Sequence, residues 1–325
     1  MYRKNTKPTQ GLMFFITLIV LCLLVLSIFL FERTIRSNQT NTTHSDKTVW
    51  HDGVAYYPRQ DVKLLLVTGV DRSGPVMDSG SYNNSGAADA VMLVVMDETA
   101  EKVDILALNR DSMVDIPVLG LLGRPIGTVN AQLALSHTYG NGLETSSENT
   151  RNTVSNLLCG IDIEYYLTLN MDVISILNDA VGGVRVNVTD DFSKVDSSIH
   201  MGEMLLNGSQ ALNFIRMRQD VADGLNITRM NRQKEYMNGF VKAYQQSDKE
   251  GFFDALETYE DIEPFIVTNC SETVLLSLLD KFDEYQLGEV IIPKGENVKG
   301  ETYMEFHLDS KALLDLTLDL LYEPK

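Results

Sequence analysis

The chain is short of cysteine and of basic residues, and each shortage removes a class of function. Of its three cysteines, Cys22 lies in an apolar run near the N-terminus, which leaves Cys159 and Cys270 as the only possible pair in the soluble part. There is no CxxC and no Cys/His cluster, so a structural zinc site has no ligands. One disulfide, or two separately buried thiols, are both open. Lysine and arginine number 27 against 45 acidic residues, a formal net charge of -18. Arg3, Lys4 and Lys7 belong to the N-terminal tail, so the body is more acidic still. Such a surface is repelled by phosphate backbones, which argues against a nucleic-acid partner. Internal repeats are absent, and no Pro- or Gly-rich linker divides residues 62–325.

What is present begins with one long apolar run. Residues 11–31, GLMFFITLIVLCLLVLSIFLF, carry no charge and have the length a helix needs to cross a bilayer. A cleavable signal has a shorter apolar stretch followed by a small-residue cleavage site, whereas FERTIRSN follows here. The expectation is a cytoplasmic tail at 1–10, a transmembrane helix at 11–31, a polar extracytoplasmic stalk at 32–60, and one domain at 61–325. Three positive residues before the helix against Arg33 and Arg36 after it favour an N-terminus inside. No second spanning run follows, which predicts a single-pass protein of the cell membrane with the domain outside.

Hydrophobic residues make up 44% of the chain, enough for a sizeable core. VKLLLVTGV, AVMLVVMD and KVDILALN read as buried strands, the first two joined by a long loop, RSGPVMDSGSYNNSGAAD, of the kind that is usually functional or disordered. TVNAQLALSHTYG and the stretch near Ser147–Leu158 have helical spacing, as do MDVISILNDAVGG, NGSQALNFIRMR and ITRMNRQKEYMNGFVKAYQQ. IEYYLTLN, GVRVNVT, VIIP and TYMEFHL read as strands, with a helical tail. Alternation of this kind predicts an α/β fold.

The ionisable residues fall at strand ends. Asp71 closes one strand as GVD, Asp89 opens the next as AAD, and Arg110 and Asp111 end a third as NRD. Ligands of open α/β sheets gather at such ends. Further on, IRMRQD holds Arg216, Arg218 and Asp220, and TRMNRQ holds Arg229, Arg232 and Gln233. In so acidic a chain, this grouping of arginines asks for an anionic partner. Carboxylates beside arginines suit a magnesium-bound pyrophosphate, since hard oxygen ligands take Mg2+ and guanidinium forks grip phosphate oxygens. Phosphoryl transfer needs little more than such positioning and charge neutralisation. Taken singly, each residue has a plainer reading: Asp71 or Asp89 as a turn residue, Arg229 and Arg232 as a solvated helix face, Arg216 and Arg218 as a salt-bridged element end.

The ordered series LLLVTGVDRS, ADAVMLVVMDETAEKVDILALNRDSMVDIP, TVNAQLALSHTYG, NLLCGIDIEYYLTLNMDVISILNDAVGGVRVNV, LNGSQALNFIRMR and TRMNRQKEYM resembles the LytR-CpsA-Psr family over roughly residues 60–245. The resemblance implies an αβα sandwich with a central mixed β-sheet, a hydrophobic tunnel for a polyprenyl tail, and Mg2+ as cofactor. It implies transfer of wall teichoic acid, capsule or another secondary polymer from undecaprenyl pyrophosphate to peptidoglycan through a phosphodiester. Carried over, Asp71 and Asp89 match the family's metal-linked acids and Arg110 a phosphate-binding arginine. Arg216, Arg218, Arg229 and Gln233 match the later pyrophosphate set, and Arg232 and Asp111 match motif positions of less defined role.

Two departures stand out. Ala87 replaces an arginine usual before the second acid, so Arg72 or another residue of the long loop is a candidate replacement; Asn109 stands where proline is common. The rivals are a hydrolase of the same lipid-linked donor and a non-catalytic receptor for wall polymer or polyprenyl phosphate. A transcriptional role is disfavoured, because only about ten residues precede the apolar run and the body is acidic.

Overall fold

The computed structural model describes residues 47–81, 86–120, 123–248 and 262–325. The apolar run at 11–31 lies outside the described residues, among which no helix is long and apolar enough to cross a membrane. From Val49 to Lys325 the chain is one compact unit.

Strands β1 (Val49–His51) and β2 (Val54–Pro58) open it, followed by three long strands, β3 (Val62–Val70), β4 (Ala88–Asp97) and β5 (Lys102–Leu108). The antiparallel pair β6 (Met113–Leu119) and β7 (Pro125–Gln132) leads through a 3-10 turn at Leu133–Ser136 to helix α1 (Glu144–Leu157). Then come β8 (Tyr165–Asn170), α2 (Asp172–Ala180), the paired strands β9 (Val184–Val188) and β10 (Gly202–Leu206), α3 (Gly208–Arg216) and the long α4 (Asn226–Gln246). The chain closes with β11 (Ile266–Thr268), α5 (Glu272–Glu284), β12 (Gln286–Ile291), β13 (Gly295–Lys299), β14 (Met304–Leu308), α6 (Ser310–Leu321) and β15 (Tyr322–Pro324).

The central sheet has the order β11-β8-β3-β4-β5-β12. It is mixed: β3 pairs with β8 and β5 with β12 in parallel, while the other neighbours are antiparallel. Its middle strands are apolar almost throughout because both of their faces are covered. Side chains alternate across the sheet. Leu64, Leu66, Leu93, Val95 and Leu106 therefore pack on one side with Val154 of α1 and Leu318 of α6. Leu65, Val94 and Met96 pack on the other with Leu278 of α5, and Ile105 and Ala107 pack there with Met230 of α4. Each buried leucine stabilises the fold by about 1.5–3 kcal/mol relative to exposure.

Two boundaries differ from the sequence reading. The folded unit starts at Val49, not at 61, because the last strand returns to the second: β15 pairs with β2, setting Tyr322 opposite Pro58. That partner lies some 260 positions downstream, roughly the whole length of a large domain, so local polarity alone reads as a stalk. TVNAQLALSHTYG also divides, since Thr128 and Val129 pair with Pro117 and Ile116 of β6, and only the following residues turn helically. Cys159 and Cys270 are both free thiols.

Candidate active site

The site is built where β3, β4 and β5 end. The β3–β4 register shifts after Gly69, which faces Ala90, so that Val70 faces Ala88 and Asp89 becomes the extra residue of a β-bulge. Bulges of this kind bend a strand and re-aim a side chain. Gly69 permits the close approach, because a Cβ there would lie 3.3 Å from the Cβ of Ala90. Asp89 is buried, and its carboxylate accepts a hydrogen bond from Arg110 and lies 3.5 Å from Nη1 of Arg229.

Asn109, Arg110 and Asp111 form the turn after β5. The Asn109 side-chain oxygen accepts from the backbone N–H of Asp111 at 3.0 Å, an Asx turn that fixes the direction of both charged neighbours. Backbone bonds from Ala134 to Arg110 and from Phe306 to Asp111 hold the turn from two sides. The same Asn109 oxygen accepts from Asn226 at 2.6 Å, and the Asn226 oxygen accepts from Arg229, also at 2.6 Å. A buried amide pair thus joins the end of β5 to the first turn of α4 and sets the Arg229 guanidinium, which also donates to the Asp89 carbonyl at 3.0 Å.

α3 starts from a capping box between Asn207 and Gln210 and ends at Arg216, whose Nη2 lies 2.9 Å from Asp71. Arg218 follows in extended chain, 3.7 Å from Asp111, whose other oxygen is 3.5 Å from Nε of Arg110. Asp71, Asp89 and Asp111 therefore stand among Arg110, Arg216, Arg218 and Arg229, contributed by five separate parts of the chain.

The arginines are crowded. Burial holds the Arg229 pKa down to about 10, with the charges of Arg110 and Arg218 pulling the same way. Burial also lowers that of Arg110, Arg218 adding to the effect and Asp111 opposing it. Both Nε–H groups are buried and make no hydrogen bond among the described residues, that of Arg110 having only the longer ion-pair contact to Asp111. Buried like charges with spare donors are what a polyanion relieves. For metals the fit is conditional. No group of three or more His, Cys, Asp or Glu side chains forms a cage among the described residues. Two carboxylates suit Mg2+ when phosphate and water oxygens complete its shell.

Arg232 and Gln233 are placed differently from their neighbours. Although Arg232 is one turn from Arg229, its guanidinium points away, donating to the Phe214 carbonyl at 3.0 Å, to the Met217 carbonyl, and to Asp190 at 2.7 Å, over the Phe192 ring. It braces the chain leaving α3 and does not join the cluster. Gln233 donates to the Ile215 carbonyl at 3.3 Å, beside Arg216.

The model of the LytR_cpsA_psr family matches residues 27–317. The chain belongs to this family. It is similar to the polyisoprenyl-teichoic acid–peptidoglycan teichoic acid transferase TagU of Bacillus subtilis, 25% identical over 281 residues, 85% of this chain and 82% of TagU. The fold is that of TagT of Bacillus subtilis, with a TM-score of 0.61 at 20% identity over 86% of this chain and 96% of TagT. A structure of TagT bound to LI-WTA matches equally well, with a TM-score of 0.61 at 19% identity over 85% of this chain and 94% of the other.

Within this family member, sequence reasoning missed Asn109 and Asn226. The Asn-Arg-Asp order is itself an Asx-turn pattern, so Asn109 had a local signal; Asn226, whose partners are distant in sequence, had none. His137, behind the β3 end, is buried with Nδ1 2.8 Å from the Gly86 carbonyl, and burial pushes its pKa from 6.5 down to about 4, the Arg72 charge acting in the same direction. A neutral imidazole is thus favoured in the folded state. The stability it contributes is complete above pH 6.5 and is lost as pH falls toward 4. Urea unfolding of the full chain in detergent at pH 7 and 4.5 should give His137→Gln a pH dependence shallower by about 2.5 kcal/mol than wild type. Equal slopes would place the titration elsewhere.

Proposed function

We propose that the chain transfers a glycopolymer from a polyprenyl-pyrophosphate carrier to peptidoglycan as a phosphodiester, from outside the membrane, anchored by residues 11–31 with the N-terminus inside. The observation that carries this reading is the pairing of buried Asp89 with both Arg110 and Arg229 beside Arg216 and Arg218, a cluster of guanidiniums contributed by separate parts of the chain. A carboxylate holds the guanidiniums in place, and their crowded positive charge is what an anion from outside the protein would offset. TagU, a polyisoprenyl-teichoic acid–peptidoglycan teichoic acid transferase by name, is of the same class.

In this reading Arg110, Arg216, Arg218 and Arg229 bind the pyrophosphate, and Gln233 supports the Arg216 end. Asp71 and Asp89 would hold Mg2+ together with phosphate oxygens, and the ion would neutralise charge on the leaving phosphate. A sugar hydroxyl of peptidoglycan attacks the phosphorus bearing the glycopolymer. The bond from that phosphorus to the bridging oxygen breaks, polyprenyl phosphate leaves with the electron pair, and the hydroxyl proton passes to a carboxylate of the cluster. Asp111 is held by Gln132 at 3.2 Å as well as by Arg110 and Arg218, so its orientation is fixed.

The test is full-length protein in detergent with a saccharide-labelled lipid pyrophosphate donor, magnesium and peptidoglycan oligomers. Label is expected in peptidoglycan, with Arg110→Ala slower by about a hundredfold or more. Label released as free saccharide would identify a hydrolase, and donor binding without turnover a receptor; either rejects the transferase.

A further inference from the structure

A second feature lies beside the cluster, on the side away from α4. The loop after β3 is fixed at several points. The Gly74 N–H donates to Asp172 and its carbonyl accepts from Asn170, both at 2.6 Å; the Val76 N–H donates to the Pro264 carbonyl; and the Ser79 N–H donates to the Asn141 carbonyl. So fastened, the loop roofs a cavity of 490 Å³ whose floor includes Thr168 and Asn170 of β8 and His137. That volume is within the range of small-molecule sites, about 300–1,000 Å³.

Its walls do not suit a lipid tail, because hydroxyls and amides from Ser73, Ser79, Thr168 and Asn170 alternate with Val76 and other apolar side chains. Nor do they suit phosphate, since the lining holds one arginine, Arg72, and one carboxylate, Asp78. His137 adds no charge near neutrality, its pKa lying at about 4. A mixture of hydroxyl and amide groups with small apolar surfaces fits the hydroxyls, N-acetyl group and C–H faces of an N-acetylhexosamine. Val70 and Arg72 both line the cavity, so Asp71 between them stands at its edge. The Asp71 carboxylate is 36% exposed and pairs with Arg216. A ring seated here would hold a hydroxyl next to the phosphate cluster.

We infer that this cavity is the subsite for the N-acetylhexosamine of the peptidoglycan acceptor, with Ser73, Thr168 and Asn170 as its hydrogen-bonding contacts. The inference rests on the transferase reading above, in which the acceptor must approach on a path the carrier does not fill. The sugar nearest the pyrophosphate of the donor has the same chemistry, and the experiment separates the two.

Ser73→Phe and Ser79→Trp each fill the cavity from exposed loop positions. They are compared with wild-type full-length chain in detergent, measuring KM for a soluble peptidoglycan oligosaccharide, Kd for the lipid-linked donor, and binding of the oligosaccharide alone by saturation-transfer NMR. The acceptor KM is expected to rise at least tenfold in both variants, with donor Kd unchanged within twofold and the NMR signal lost. A raised donor Kd with an unchanged acceptor KM would overturn the assignment in favour of the donor sugar. No change in either would show that the cavity takes no sugar. If wild type transfers nothing but binds the oligosaccharide, and Ser79→Trp does not, the subsite stands and the transferase reading falls.

Discussion

Asp89→Ala is expected to cost the protein both its activity and much of its stability. Its carboxylate is the shared counter-charge of the buried Arg229 and the half-buried Arg110. Removing one partner of such a buried pair typically costs about 3–5 kcal/mol, because the charge left behind is neither solvated nor paired. Transfer should fall by at least about 10²–10³-fold, the scale seen when one group aligned with developing charge is deleted. The two losses have one cause, so they should share one remedy. Millimolar inorganic pyrophosphate supplies the missing negative charge and should raise the Tm of Asp89→Ala by more than that of wild type. A variant that unfolds as wild type does, or one insensitive to pyrophosphate, would mean that the arginines are not a polyanion site.

Arg232→Leu should separate stability from binding. Its donors go to two carbonyls and to Asp190, and its face covers Phe192, all within the wall behind α3. Leucine keeps the apolar volume but leaves three acceptors unpaired, a loss of roughly 3 kcal/mol, read as a lower urea midpoint. The folded fraction should bind polyprenyl pyrophosphate within twofold of wild type. Arg229→Leu should instead weaken that binding at least tenfold. Equal losses of affinity in the two variants would return Arg232 to the phosphate site.

The contrast between these two arginines marks the limit of what was legible. Three-residue spacing on a helix puts two side chains on one face, and both are indeed buried; spacing does not say which acceptors each will find. The acceptors of Arg232 come from Phe214, Met217 and Asp190, and no local pattern announces them. By contrast, the long apolar runs of β3, β4 and β5 declared a sheet covered on both faces, and the acids and arginines just past their ends do come together in one charged cluster. The β-bulge that turns Asp89 was hidden, since it depends on the register with β3. So was the pairing of β2 with β15, which joins opposite ends of the domain. Asn109 illustrates an intermediate case. As a departure from proline it looks minor, yet it supplies the side-chain oxygen that fixes the NRD turn and receives Asn226.

In the proposed transfer the glycopolymer leaves with one phosphorus and the lipid with the other. This division is tested most directly with a donor carrying distinguishable phosphorus labels at the glycan-proximal and lipid-proximal positions of the pyrophosphate, followed through one turnover on peptidoglycan oligomers. The proximal label should appear in peptidoglycan and the distal label in polyprenyl phosphate. Retention of both labels on the lipid, with saccharide in peptidoglycan, would mean that the sugar–oxygen bond breaks and that the arginine–aspartate cluster serves another chemistry.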